Sequence, residues 1–258
     1  MPTVHEIEQS LYDWAPRHLA EDWDNVGLLV GSGAREVRRV LIALDVTEWV
    51  AREAIGRGAD LIVAHHPLMN CTWHKVQNVL DDNAQGRLIQ TLIRHEISAI
   101  CMHTNLDAAD GGVNDVLANA LGLEGLSMLN EEKIGRVGTL KSEKSLEEFL
   151  QDVVQYLGCQ GLRYRDGGKP VRRVAVGGGA CAEYIPQAIA LGCDTFVTAD
   201  VKYHDFLDAN GLNLIDAGHF ETENPVCQAV QAYLADKFPQ LETVISTSHK
   251  DVIQYYMK

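Results

Sequence analysis

Two stretches of this sequence, residues 38–66 and 172–200, lie over one another without a slip. Arg172-Arg173-Val174 falls on Arg38-Arg39-Val40, Gly192-Cys193-Asp194 on Gly58-Ala59-Asp60, and Thr195-Phe196-Val197-Thr198 on Leu61-Ile62-Val63-Ala64, all at one offset of 134 residues. The first copy reads as a βαβ unit: a buried strand from Arg39 to Leu44, a capping-box pattern at Asp45-Val46-Thr47-Glu48 opening a helix through Ile55, a turn at Gly58, and a second buried strand. Such alternation confines the fold to a mostly parallel sheet covered by helices. Two copies in 258 residues predict two similar α/β lobes, an internal duplication. The competing explanation is the generic likeness of any two βαβ units.

The rest of the chain is read around this frame. Val4, Ile7, Leu11 and Trp14 after Thr3 predict an opening amphipathic helix, and Leu28 to Val30 a short strand closed by Gly31. A helix from Gln85 to His95 and a strand from Ile97 to Met102 extend the alternation, and 112–121 reads as a further helix. The polar stretch from Leu123 to Lys133 with Gly125 is expected to be a linker, so the lobes are set at 1–128 and 129–258. Thr243–Ser246 and Val252–Tyr256 read as two strands around a turn, with the C-terminal strands allowed to return to the first lobe.

Composition closes several function classes. A formal charge of −14 argues against a nucleic-acid binder that neutralises phosphates. The first residues lack the basic start and apolar run of a signal peptide, and no apolar stretch is long enough to cross a bilayer, so a cytoplasmic protein is expected. Six cysteines without a Cys-x-x-Cys pair fit reduced thiols.

The chemistry gathers at strand ends, where ligands collect in open α/β sheets. His65-His66-Pro67 follows one strand, His103-Thr104-Asn105-Leu106-Asp107 another, and His219-Phe220-Glu221-Thr222-Glu223 a third in the second half. Pro67 takes the two histidines out of strict alternation, which allows both imidazoles to reach one site, the alternative being a polar strand end with one imidazole capping the following turn. Asp107 lies four residues past His103, with helix capping as its alternative role and orientation of a ligand as the alternative for His103. His219 and Glu223 share a helix face while Glu221 points elsewhere, the alternative being a solvated acidic first turn favoured by the helix dipole. His65, His66, Asp107, His219 and Glu223 therefore form the candidate ligand set for two divalent cations. Nitrogen and carboxylate donors suit Zn, Mn, Fe, Co or Ni. Glu223 is the natural bridge, and hydrolysis the default chemistry. Gly177-Gly178-Gly179 reads either as an anion-binding turn or as a tight packing turn. His204, in Asp200-Val201-Lys202-Tyr203-His204, is the candidate for proton transfer or substrate contact, with a surface helix start as the alternative reading of this segment.

Asp24-Asn25-Val26-Gly27-Leu28, Ala64-His65-His66-Pro67, His103 to Asp107, Thr198 to His204 and Gly218 to Glu223 together resemble the Nif-three-like proteins, often catalogued as GTP cyclohydrolase I type 2 homologs. The resemblance spans nearly the whole chain. It implies two related α/β lobes, a dinuclear metal centre between them on the five residues above, and a ring-shaped homohexamer with its sites facing an interior cavity. Thr198-Ala199-Asp200 stands where Thr-Gly-Asp or Thr-Gly-Glu is common, and the chain has no room for the extra domain of longer members. A hydrolase acting on a nucleotide or phosphorylated metabolite is the first expectation. A non-catalytic metal-binding scaffold or interaction protein is the second.

Overall fold

The structure, a computed structural model, describes residues 1–73 and 75–256. In chain order the helices are α1 (Val4–Trp14), α2 (Glu48–Arg57), α3 (Ala84–Arg94), α4 (Thr104–Ala108), α5 (Val113–Ala120), α6 (Leu146–Leu157), α7 (Ile185–Ala190), α8 (Tyr203–Asp208), α9 (His219–Glu223) and α10 (Val226–Lys237). The strands are β1 (Gly27–Val30), β2 (Arg39–Ala43), β3 (Leu61–Ala64), β4 (Ser98–Cys101), β5 (Leu123–Met128), β6 (Arg136–Lys144), β7 (Arg163–Arg165), β8 (Val171–Val176), β9 (Thr195–Thr198), β10 (Asn213–Asp216) and β11 (Glu242–Ile245). They form a mixed α/β fold with two sheets. The chain divides into one unit of Met1–Asp110 with Cys227–Lys250 and another of Gly111–Val226 with Asp251–Lys258.

The first unit's sheet runs β1-β4-β3-β2-β11, parallel except for β1 against β4. β3 and β4 are buried at every position, as strands covered on both faces must be. Leu61, Ile62 and Ile100 are fully buried, each stabilising the unit by roughly 1.5–3 kcal/mol through lost apolar exposure. Thr3 caps α1 in a capping box with Glu6, and Thr47 caps α2 through the Val50 amide.

The second unit's sheet runs β5-β6-β8-β9-β10-β7. Only β8-β9-β10 is parallel, whereas β5, β6 and β7 pair antiparallel. Successive strand residues feed opposite cores: Val174, Val176 and Val197 pack with Phe149 and Val153 of α6, while Ala175 and Phe196 pack with Ile185 and Ala188 of α7.

The 134-residue repeat reappears as hydrogen bonds within each unit. The Asp60 amide donates to Arg39 O at 3.0 Å and the Asp194 amide to Arg173 O at 3.0 Å. Asp60 Oδ2 accepts from the amides of Arg38 and Arg39, and Asp194 Oδ2 from those of Arg172 and Arg173. Gly58 and Gly192 both turn the chain with positive φ, 64° and 72°, which glycine adopts at no steric cost.

Three expectations differ from what is observed. Leu123 to Met128, read as linker, is strand β5. Most of its residues face solvent, and Gly125 breaks its register against β6, so no alternation marks it in the sequence. The observed division therefore falls at Asp110 rather than 128, with β11 returning to the first sheet. Val252 to Tyr256, read as a strand, joins no ladder; Tyr255 packs its ring on Gly161, while Val252 and Tyr256 are exposed. Among the described residues no helix is long and apolar enough to cross a membrane. All six cysteines are buried.

Candidate metal-ligand clusters

β3 delivers His65 and His66. Both of their amides donate to the same carbonyl, Leu44 O, at 3.1 and 2.9 Å, which breaks strand alternation and leaves the two rings 4.9 Å apart. The next strand, β4, runs out through Met102 to His103, whose ring lies 5.1 Å from that of His65 and 5.5 Å from that of His66. Ligand-type atoms of these three imidazoles lie within 4.8 Å of one another, an arrangement that suits a metal ion. α4 then carries Asp107 back, with Oδ1 3.7 Å from His65 Nε2. His65, His103 and Asp107 are buried.

In the second unit, β10 ends at Asp216 and Gly218 leads into α9, where His219 and Glu223 occupy one face four residues apart. His219 Nε2 lies 3.1 Å from Glu223 Oε2. The glycine turn after β8 explains why nothing bulkier stands beside them. A Cβ on Gly179, at φ +64°, would lie 2.1 Å from Glu223 Oε1 and 3.2 Å from His219 Cε1. The turn's amides are spent internally: Gly177 donates to Val197 O, Gly178 to Asn114 Oδ1 and Gly179 to Thr222 Oγ1. It is a packing turn, not an anion cradle. Glu221 turns its carboxyl toward Gly218 and Asp251, and burial raises its pKa.

His65, His66 and His219 each have Nδ1 on an acceptor, and His103 has Nδ1 beside a carboxylate. His65 Nδ1 meets Met102 O at 2.8 Å, His66 Nδ1 meets Asp45 at 2.8 Å, His103 Nδ1 meets Asp24 at 3.0 Å, and His219 Nδ1 meets Asp200 at 2.7 Å. A carbonyl or carboxylate only accepts, so in His65 and His66 Nδ1 carries the proton and Nε2 is left as the basic nitrogen, whereas His219, with a carboxylate at each nitrogen, is held as the imidazolium. The form held by His65 and His66 is the tautomer a metal-binding histidine needs, fixed by the partner that metal sites use. The Nε2-to-carboxylate distances of 3.1 and 3.7 Å bracket the separation, roughly 3.3 Å, of two ligands each about 2.0–2.1 Å from one tetrahedral ion. The donor set thus fits a divalent metal with nitrogen and oxygen ligands.

Burial alone would raise the Asp24 carboxyl, but the hydrogen bond and charge of His103, with the Thr104 hydroxyl and amide, hold it at about 2. Asp45 is likewise desolvated, yet His249 and His66, one on each of its oxygens, keep it well below the carboxylate range. Burial disfavours the charged His219 ring, but Glu223 and Asp200 outweigh that and push its pKa up. Asp24, Asp45 and Asp200 stand outside the ligand set read from the sequence. Asp24 and Asp200 stood only inside motifs, while Asp45 ends a strand and His249 lies near the C-terminus, and no spacing rule links either to His66. His204 is exposed on α8 with its ring against Tyr203, and among the described residues it joins no cluster of ligand atoms.

Residues 2–252 match the profile of a family described as Duf34/NIF3 (NGG1p interacting factor 3). A protein of Clostridium perfringens named GTP cyclohydrolase 1 type 2 homolog is 35% identical over 262 residues, covering 98% of this chain and 99% of that one. A relative of the same name from Streptomyces coelicolor is 37% identical, covering 91% and 86%. Among solved structures, a Bacillus cereus protein related to NIF3 matches with a TM-score of 0.90 at 28% identity, over 99% of this chain and 100% of the other. Reduced HcgD from Methanocaldococcus jannaschii matches with a TM-score of 0.82 at 29% identity, over 94% and 97%.

Proposed function

The chain belongs to the Duf34/NIF3 family, and from that membership we propose that it is a cytoplasmic, metal-dependent hydrolase acting on a nucleotide or related phosphorylated metabolite. In this reading His65, His66 and Asp107 join His219 and Glu223 in one dinuclear centre. One observation carries it. Both units contain an imidazole fixed through Nδ1 whose Nε2 lies 3–4 Å from a buried carboxylate oxygen, so each supplies a fragment of the same coordination chemistry.

Neither fragment fills two coordination spheres, and sharing is what two incomplete nitrogen and oxygen sets call for. Glu223, with two oxygens, is the bridging ligand of the proposal. The cations would be Zn, Mn, Fe, Co or Ni, since no thiolate belongs to either set. A pair of such ions supplies Lewis acidity toward a substrate oxygen and lowers the pKa of a water. The chain's own part is to aim Nε2 of each histidine, through Met102, Asp45 and Asp200. His204 is the proposed proton-transfer group, as an exposed imidazole that the frame does not consume. The homohexamer belongs to the same proposal, and native mass measurement tests it.

Elemental analysis and a turnover panel of nucleotides and phosphoesters test the reading, with Glu223→Ala as control. Two ions per chain and metal-dependent turnover that falls at least 100-fold in the variant are expected. Bound metal without turnover, or turnover indifferent to Glu223→Ala, would leave a metal-binding scaffold. Protein that takes up no cation would defeat the centre itself.

A further inference from the structure

Between the end of β3 and the start of α3, residues 65–83 form no helix or strand among those described. Irregular connections beyond about 12–15 residues are uncommon in compact units and usually serve a function. This one is built, not slack. Asn70 Oδ1 accepts from the Val76 amide, and Gln85 donates to Leu68 O. Arg87 and Gln90 of α3 donate to Asp81 O and Val79 O, while Asn83 caps the helix through Gly86 N. These bonds hold open a cavity of about 330 Å³ lined by Trp73, Lys75, Val76, Gln77, Asn78 and Gln85. The volume sits at the small end of the range for small-molecule sites.

Trp73 is the wall that this cavity shares with the histidine cluster. Its ring lies edge-to-face 6.1 Å from that of His66 and 5.5 Å from that of His103. Trp23 stands beside it, 6.4 Å from Trp73 and 5.8 Å from His103. Trp23 and Trp73 are 47% and 49% exposed, so two indoles sit half in solvent next to the imidazoles. Paired large apolar rings left in water mark a recognition surface more than a packing one.

We propose that this cavity is a base-recognition subsite, in which the indole of Trp73 stacks on a planar heteroaromatic ring while Gln77 and Asn78 meet its hydrogen-bonding edge. Side-chain amides present a donor and an acceptor at fixed separation, the pattern that nucleobase edges answer. Lys75 adds a cation for a phosphate in a chain whose net charge is −14. The inference deepens the proposed function by naming the substrate class as nucleotide rather than any phosphoester. It nevertheless rests on unit-internal geometry that needs no metal.

Tryptophan fluorescence of the full chain, stripped of metal with a chelator, tests it. Guanosine and adenosine monophosphates are titrated in, with ribose 5-phosphate as the control lacking a base. The nucleotides should quench emission and bind at least tenfold more tightly than ribose 5-phosphate. Trp73→Ala should weaken them about 5- to 100-fold, the range that removal of one base-stacking ring produces. Trp73→Phe should restore part of the loss, and circular dichroism should stay unchanged in both variants. Nucleotides that bind no better than ribose 5-phosphate, or equally well to Trp73→Ala, would overturn the subsite. Metal content measured on the same variants distinguishes failure of the subsite from failure of the centre: base binding without metal uptake would sink the dinuclear centre and spare the subsite, and metal uptake without base binding the reverse.

Discussion

The tips of β3 and β9 occupy the same place in the same frame, yet they do opposite jobs. Ala64-His65-His66 and Thr198-Ala199-Asp200 are related by the 134-residue offset, and the strands before them make matching hydrogen bonds. At the first tip the strand itself delivers imidazoles, and a carboxylate from the end of β2, Asp45, orients one of them. At the second tip the strand delivers the orienting carboxylate, Asp200, and the imidazole comes from the next strand's exit, His219. Asp200 even takes up a left-handed conformation, φ 53°, which aspartate tolerates better than most residues. The βαβ frame therefore dictates where polar groups emerge. It leaves open which emerging group is an imidazole and which one its carboxylate partner.

The position one strand earlier sharpens the contrast most. Asp45 and Gly179 correspond under the same offset, and the side chain that steers His66 in one unit is forbidden in the other by Glu223. Gly179→Ala is expected to destabilise the protein by about 2–4 kcal/mol, combining left-handed strain with a clash against a buried carboxylate. Asp45→Ala, at a half-exposed side chain, is expected to cost about 1 kcal/mol or less of fold stability. Denaturant midpoints of the two variants measure the difference, and equal costs would erase the distinction.

Exchanging charge for neutrality at the steering groups gives the next largest effect. Asp45→Asn and Asp200→Asn keep an oxygen for the imidazole Nδ1 proton but remove the charge that makes Nε2 a strong donor. Each is expected to weaken uptake of Zn or Mn about 10- to 100-fold in calorimetric titration, with secondary structure unchanged. An effect at Asp45 with none at Asp200 would mean that the second tip does not steer a ligand at all.

These roles also show how far sequence reading reaches. The repeat, the buried strands and the histidines just past them were visible because apolar runs that end in His or Asp are local patterns. So were His219 and Glu223, whose spacing is a property of one helix turn. β5 was hidden, because an edge strand facing water has no alternation to betray it. The contacts of Asp24 with His103, and of Asp45 with both His66 and His249, were hidden for another reason. They are made across loops far apart in sequence, and only the folded sheet brings their ends together.

The smallest expected effect tests whether the two frames differ in acid. On α2, Glu53 accepts from Ser246 Oγ and the amides of Thr247 and Ser248 and pairs with Arg57, clamping the turn that carries His249 to Asp45. Its counterpart on α7 is Gln187, which cannot titrate. Burial would raise the Glu53 carboxyl, but these donors hold it at about 2 in the folded protein. In the unfolded chain it returns to roughly 4.3. The depressed folded value means that the clamp stabilises fully above the unfolded pKa and is lost as pH falls from there toward 2. Between pH 5 and 3.5 the loss is about 1 kcal/mol, and Glu53→Gln should abolish this component of the pH dependence in denaturant melts. Hydrogen exchange resolves the asymmetry: amides of residues 246–250 should lose protection over that range in the native protein, while those following β9 hold theirs. Simultaneous loss in both segments would show that acid attacks something the two frames share.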